Sequence, residues 1–234
     1  TDNCVTECYA QDSAVFSILV LTALACLKHP KRDIVFKPFP SIYKSIAELE
    51  SSITIKMDKI VDLLAIMSDC KTDAEVFKKM GENNYSFLKF VIKTNITNLK
   101  SSVLFNANKN IFIQKDITDI LNSTEIITFM VSHSPDVEKI FSTKTRDFAF
   151  HGSSLSSWYS ILRNGLKNCS NTALMACGAA QGPGIYLSNT LNVSLGYGAD
   201  RHTTSKLYVV GVVQVLNIEK YNKQGLQYST SNLI

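Results

Sequence analysis

The chain has no Cys-x-x-Cys pair. Its six cysteines (Cys4, Cys8, Cys26, Cys70, Cys169 and Cys177) are scattered, and its four histidines lie far from most of them. That spacing argues against a zinc site and leaves reduced thiols as the default for a chain of this length. Ten glycines and five prolines in 234 residues are too few for a linker-rich or fibrous protein. The most hydrophobic run, Ala14–Leu27, is 14 residues long, short of the ~20 that span a bilayer as a helix. The residues before it carry Asp2, Glu7 and Asp12 and no Lys or Arg, which a secretory signal would need. No internal repeat or low-complexity tract is present. With 45% hydrophobic and 19% charged residues and a mean hydropathy of +0.05, the composition is that of a folded globular chain of one large or two small domains.

Charge is unevenly placed. Up to Phe150 there are 18 basic and 18 acidic residues; from His151 onward there are 6 and 2, so the whole +4 surplus lies in the last third. Such a surplus suits an anionic ligand such as a phosphate or dinucleotide, but charge alone favours the plainer reading, a modestly basic surface with no partner. It is too sparse for the basic stripe of a nucleic-acid binder.

The first half reads as helical. Ala14–Lys28 is a buried helix ended by His29-Pro30. Lys37-Pro-Phe-Pro40 forces an extended turn, and helices are expected over Ile42–Leu49, Lys56–Met67, Asp73–Met80 and Tyr85–Ile96. In Lys56–Met67 the spacing puts Met57, Ile60, Val61, Leu64 and Ala65 on one face; Phe87, Phe90, Val91 and Ile96 form a later packing stripe. Beyond about residue 100 the pattern changes to short strands at Val103–Phe105, Ile111–Ile113, Ile126–Val131, Phe148–Phe150 and Ile185–Leu187, with a buried β-branched strand at Leu207–Leu216. Between them Leu155–Asn164 is an amphipathic helix with Leu155, Trp158, Ile161 and Leu162 inward and Gly165 as its C-cap; Asn189–Tyr197 is a shorter helix. The expected architecture is α+β: a helical lobe over 1–100 and a mixed domain over 101–234.

Three segments in the basic third carry polar groups where a chain leaves a strand. In Phe148-Ala-Phe-His-Gly-Ser153, an imidazole, an unobstructed main chain and a hydroxyl follow one another. Gly178-Ala-Ala-Gln-Gly-Pro-Gly184 precedes a strand instead of following one, so it is no dinucleotide phosphate loop; it is a lid or a plain surface loop. Gly184-Ile-Tyr-Leu-Ser188 with Ser194-Leu-Gly-Tyr197 brings two tyrosines and a serine one helical turn from the second ring. Each alone fits a structural role as well: a histidine satisfying a loop carbonyl, or core tyrosines and a capping serine.

Together they are specific. His151, Tyr186 thirty-five positions on and Tyr197 eleven beyond that, with Trp158-Tyr-Ser-Ile-Leu-Arg-Asn-Gly-Leu166 between, resemble the catalytic domain of the poly(ADP-ribose) polymerase superfamily, the diphtheria-toxin-like ADP-ribosyltransferases. The likeness is nearest to the small mono-ADP-ribosyltransferase branches; Arg32-Asp-Ile-Val-Phe-Lys-Pro-Phe-Pro40 is similar to the helical regulatory segment of the branch tethered to the endoplasmic reticulum. The resemblance implies a mixed, mostly antiparallel sheet preceded by a regulatory-like helical lobe. It implies that Gly152, through its backbone, and Ser194, through its hydroxyl, hold the nicotinamide carboxamide of NAD+. Tyr197 stacks on the ring and Tyr186 closes its other side. His151 bonds the adenosine ribose 2′-hydroxyl with Ser153 nearby, and Lys167–Gly184 is the donor loop. His151 and Tyr186 are then the first two members of the family triad.

Two departures stand out. Ser157 occupies the place where many relatives have asparagine, and Tyr221–Ile234 offers no match to the third triad position, as if the domain were cut short of its final strand. The implied activity is transfer of a single ADP-ribose from NAD+ to protein side chains, the protein's own included, without a metal. The alternative is a silent NAD+- or ADP-ribose-binding relative that serves as an interaction module. An intracellular setting, with no nucleic acid and no membrane segment within these residues, completes the expectation.

Overall fold

In a computed structural model that describes residues 3–94, 98–102, 127–132, 134–142, 146–175, 182–199, 207–216, 222–224 and 227–230, the chain divides into two compact units, Thr1–Ser132 and His133–Ile234. The first holds helices Cys4–Gln11 (α1), Ser13–Leu27 (α2), Arg32–Val35 (α3), Ile46–Ser52 (α4), Ile60–Asp69 (α5, entered through a 3-10 turn at Met57–Lys59) and Asp73–Thr94 (α6). Strands Asn98–Ser102 (β1) and Thr128–Ser132 (β2) pair antiparallel in the same unit.

The apolar run is α2, buried over most of its length as expected for a helix that is hydrophobic on every side. Asp12 caps it: one carboxylate oxygen accepts from the Val15 amide at 3.0 Å, the other from the Ser101 amide of β1 at 2.8 Å. Desolvation pushes this carboxyl up, but the hydrogen bonds from Val15 and Ser101 outweigh it and hold its pKa below the usual range. No single helix among the described residues is long and apolar enough to cross a membrane.

Three helical expectations shift. The helix expected from Ile42 starts at Ile46, because Ser45 accepts from the Glu48 amide at 3.1 Å while Glu48 reaches back to the Lys44 amide at 2.7 Å. That is a capping pair readable as Ser-x-x-Glu. In α5 the buried residues are Leu63 and Met67, whereas Val61 is 69% exposed. Seven of its ten residues are apolar, so periodicity alone cannot choose the face. The two helices expected after residue 73 run on as α6 with Gly81 at φ 76° between them. Phe87 and Val91 are buried there, Phe90 is half-buried, and Ile96 lies outside the described residues. Asn84 braces the bend, donating to Met80 O and Thr54 Oγ1 and accepting from the Thr54 amide.

The second unit holds helices Pro135–Ser142 (α7), Leu155–Asn164 (α8) and Leu191–Gly198 (α9) and strands Arg146–Gly152 (β3), Ile185–Ser188 (β4), Val210–Leu216 (β5), Asn222–Gln224 (β6) and Gln227–Thr230 (β7). The sheet order is β5-β3-β4-β7-β6, and every described pairing is antiparallel. The α+β class with a preceding helical region stands. Ala149, Ile185, Leu187 and Val215 form the core, with Leu166 and Val213 against them. Helix α8 has the expected bounds, capped by Ser154 and closed by Gly165 at φ 75°, whose amide donates to Ile161 O. Strand β5 corrects the expectation of a buried strand: Val215 is buried but Val212 is 43% exposed, because β5 lies at the rim of the described sheet. Strands β6 and β7 arise in the tail, where no strand was expected. The strands expected at Val103–Phe105 and Ile111–Ile113 lie outside the described residues.

Candidate active site

β3 runs beside β5 over seven paired positions, from Arg146↔Leu216 to Gly152↔Val210, but is paired with β4 at Phe150↔Ser188 alone. Beyond that pair β3 stays with β5 and parts from β4. A strand that leaves its ladder strips main-chain groups of their partners. Here the His151 side chain takes over: Nδ1 lies 3.0 Å from the carbonyl oxygen of Tyr186. A carbonyl only accepts, so Nδ1 carries the proton and Nε2 is left with a lone pair. Burial lowers the His151 pKa, and the bond to the Tyr186 backbone, which raises it, does not compensate.

The sign of the pH effect follows. Above the ordinary histidine value of 6.5 the imidazole is neutral in both the folded and the unfolded chain. As pH falls through 6.5 the unfolded chain takes up the proton first, so stability is lost on acidification. Urea midpoints between pH 7.5 and 5 should fall in the native protein and fall less in His151→Asn. Parallel slopes would show that His151 does not contribute.

The next residue, Gly152, abuts helix α9. A Cβ built on it would land on the carbonyl of Ser194, with the Ser194 Cα also at 2.9 Å. Ser194 is 3% exposed. Tyr197 follows one turn later and is 52% exposed, so the helix buries its serine and presents its tyrosine ring. Gly152 and Ser194 are therefore neighbours. The absent Cβ makes room for the main chain of α9, a reason that could not be read from the sequence.

Tyr186 is half-buried on β4, its hydroxyl donating to Gly182 O at 2.7 Å. Ser170 Oγ accepts from the Gly184 amide at 2.9 Å and donates to the Gly184 carbonyl at 3.4 Å. These bonds staple the base of the expected donor loop; residues 176–181 within it lie outside the described residues. Ser153 contributes its carbonyl, which accepts from Trp158 Nε1 at 3.1 Å. Ser157 is engaged at the start of α8, its hydroxyl 2.8 Å from Ser154 Oγ. Ser170 and Trp158 join the site although the sequence marks Ser170 by nothing and Trp158 only as an inward helical residue and part of the family-like stretch Trp158–Leu166. Their signals are hydrogen bonds to distant main chain. Among the described residues no group of three or more His, Cys, Asp or Glu could hold a metal ion.

Comparison with known proteins bears on this geometry. The family model for the poly(ADP-ribose) polymerase catalytic domain matches residues 97–231. The protein mono-ADP-ribosyltransferase PARP8 of Mus musculus and that of Homo sapiens are each 28% identical over 203 residues, which cover 80% of this chain. The chain spans 22% of the length of these relatives. The splayed β3–β4 pair with His151, Gly152 and Tyr186, and helix α9 with Ser194 and Tyr197, lie inside the matched region, and the chain belongs to the poly(ADP-ribose) polymerase catalytic-domain family.

Proposed function

We propose that this chain is a mono-ADP-ribosyltransferase domain that transfers ADP-ribose from NAD+ to protein side chains and releases nicotinamide. The observation that carries the reading is the contact between Gly152 and Ser194, which sets an open main-chain edge beside a buried serine. In this reading Gly152 and Ser194 hold the carboxamide, Tyr197 stacks on the nicotinamide ring, and Tyr186 borders its other side. The lone pair on His151 Nε2 accepts from the adenosine ribose 2′-hydroxyl, with Ser153 beside it. The bond from C1′ to the nicotinamide nitrogen breaks with its electron pair leaving on nicotinamide. The oxocarbenium-like sugar is then captured by an acceptor side chain, which loses its proton to solvent. Positioning of the strained dinucleotide supplies the rate. Residues 1–100 serve as the regulatory-like lobe of a domain spanning 101–234. The protein works inside the cell, where NAD+ is at hand and thiols stay reduced.

Incubation with NAD+ followed by intact mass measurement tests this. An added ADP-ribose with equimolar or greater nicotinamide release is the expected result. No adduct, but a raised melting temperature with benzamide, would instead support the silent binding module, a reading favoured by the lack of an assigned third triad member among the described residues. Neither effect would sink both. Tyr197→Ala should weaken benzamide binding by ~0.5–1.5 kcal/mol, the worth of an aromatic stack; titration calorimetry reads it, and unchanged affinity would remove Tyr197 from the site.

A further inference from the structure

We propose that Trp158 is a positioning residue for this site: one indole N–H ties the exit of β3 to the start of β5, and the ring walls the His151 imidazole. The proposal rests on the functional reading above for its consequence to ligands, and on geometry alone for its consequence to His151.

Trp158 is 6% exposed on α8. Its Nε1–H is shared between Ser153 O at 3.1 Å and Val209 O at 2.9 Å. Ser153 directly follows His151-Gly152, and Val209 directly precedes β5. Both carbonyls lie just beyond Gly152↔Val210, the last pair of the β3–β5 ladder. The end of α9 comes to the same point: a side chain on Gly198 would meet Val209 O at 3.7 Å and Ser153 O at 3.9 Å. One donor therefore sits where the segments carrying His151, Gly152, Ser194 and Tyr197 converge.

The ring makes two more contacts. It meets the His151 imidazole edge to face, with centroids 6.1 Å apart and planes at 71°. Its far edge fills the space over Gly211, the register partner of His151, where a Cβ would come within 2.8 Å of Cη2. The indole is thus held on both sides, by main chain at its nitrogen and by Gly211 at its rim. The imidazole packs against this ring with its Nδ1 reaching Tyr186 O. Burial lowers the pKa of that imidazole.

A tryptophan that merely fills the core needs its volume and not its N–H. Trp158 is the sole tryptophan in the chain, so biosynthetic replacement by benzothienylalanine, with sulfur in place of N–H, alters this one position at nearly constant shape. The measurements are the side-chain nitrogen signals of His151 in histidine-labelled protein across pH, assigned with His151→Asn, and the Kd of benzamide. The expected result is a native His151 neutral and protonated at Nδ1. In the sulfur variant the tautomers mix, the titration midpoint rises, and benzamide binds at least tenfold more weakly.

Unchanged His151 signals overturn the proposal, and so does a shifted His151 with benzamide affinity within twofold of native. If the sulfur variant does not fold, native protein decides. Tryptophan emission should be quenched on the same midpoint as His151 protonation, and emission that ignores that titration overturns the contact. Native protein that binds neither benzamide nor NAD+ refutes the functional reading and with it the ligand consequence of the proposal; the His151 signals then decide the part that rests on geometry, and their failure alone overturns the proposal while leaving the functional reading intact.

Discussion

Gly152→Ala should abolish detectable benzamide binding and lower the melting temperature, while Gly196→Ala, two residues from Ser194, should do neither. The first substitution places a methyl on the carbonyl of Ser194. Neither side can yield cheaply. Gly152 closes the seven-position ladder with β5, and the obstructing atoms belong to the main chain of α9, not to a side chain that could rotate. Overpacking of this kind costs about 1–3 kcal/mol, and collision with main chain puts Gly152→Ala at the upper end. Relief requires α9 to lift from β3, which separates the groups assigned to the carboxamide and moves Tyr197 with them. A Cβ on Gly196 meets nothing within 4 Å. That variant should be neutral, or stabilising by up to about 1 kcal/mol from helix propensity. Thermal melts and benzamide titration of the two variants decide the matter; native-like binding by Gly152→Ala would mean that the Gly152–Ser194 contact is not needed for the site.

Asp73→Ala should destabilise the first unit by about 3–5 kcal/mol, the cost of deleting one member of a buried, charged hydrogen-bond set. The carboxylate is 4% exposed at the start of α6. It accepts from the Val5 amide at 3.2 Å, the Thr6 amide and hydroxyl at 2.9 Å each, and the Tyr85 hydroxyl at 3.1 Å. Its own amide donates to Asn3 Oδ1 at 3.1 Å. One carboxylate thus satisfies amides in the first turn of α1, where helix geometry leaves them without partners and the dipole favours negative charge. Alanine leaves those donors buried and unpaired. Asp73→Asn keeps the shape but loses the charge and turns an NH2 toward donors, so it should cost an intermediate amount. Urea unfolding gives the ranking, and hydrogen exchange should show α1 amides deprotected first. If Asp73→Ala shifts the midpoint no more than a surface substitution, the network is not what holds α1 to α6.

The helical half and the candidate residues were largely legible because the signals are local. Helix α8 came out with its expected bounds because Ser154 caps it, its apolar residues recur with helical spacing, and Gly165 adopts the positive φ that ends it. The buried α2 announced itself by having no polar face. The face of α5 did not, because its surplus of apolar residues leaves the choice to whatever packs against it. Likewise the exposure of Val212 is not written in its β-branched run, which reads the same at the rim of a sheet as at its centre.

The sequence by itself determined that the chain folds with an apolar core, that its first half is helical, and that histidine, glycine, serines and tyrosines are spaced as in one enzyme family. Tertiary structure alone decided what each neighbour is. The tail strands β6 and β7 read Asn-Lys-Gln and Gln-Tyr-Ser-Thr, with no apolar alternation to announce them; β7 pairs the edge of β4 that faces away from β3, over Ile185–Ser188, and β6 pairs β7 in turn. The short supply of glycine noted at the outset acquires its meaning in the same way. Gly152 and Gly211 are needed because the main chain of α9 and the ring of Trp158 occupy the space of their missing side chains. Caps, periodicity and proline act over a few residues and are written in local sequence; strand pairing and close approach join residues far apart in the chain, and only folding brings them within range.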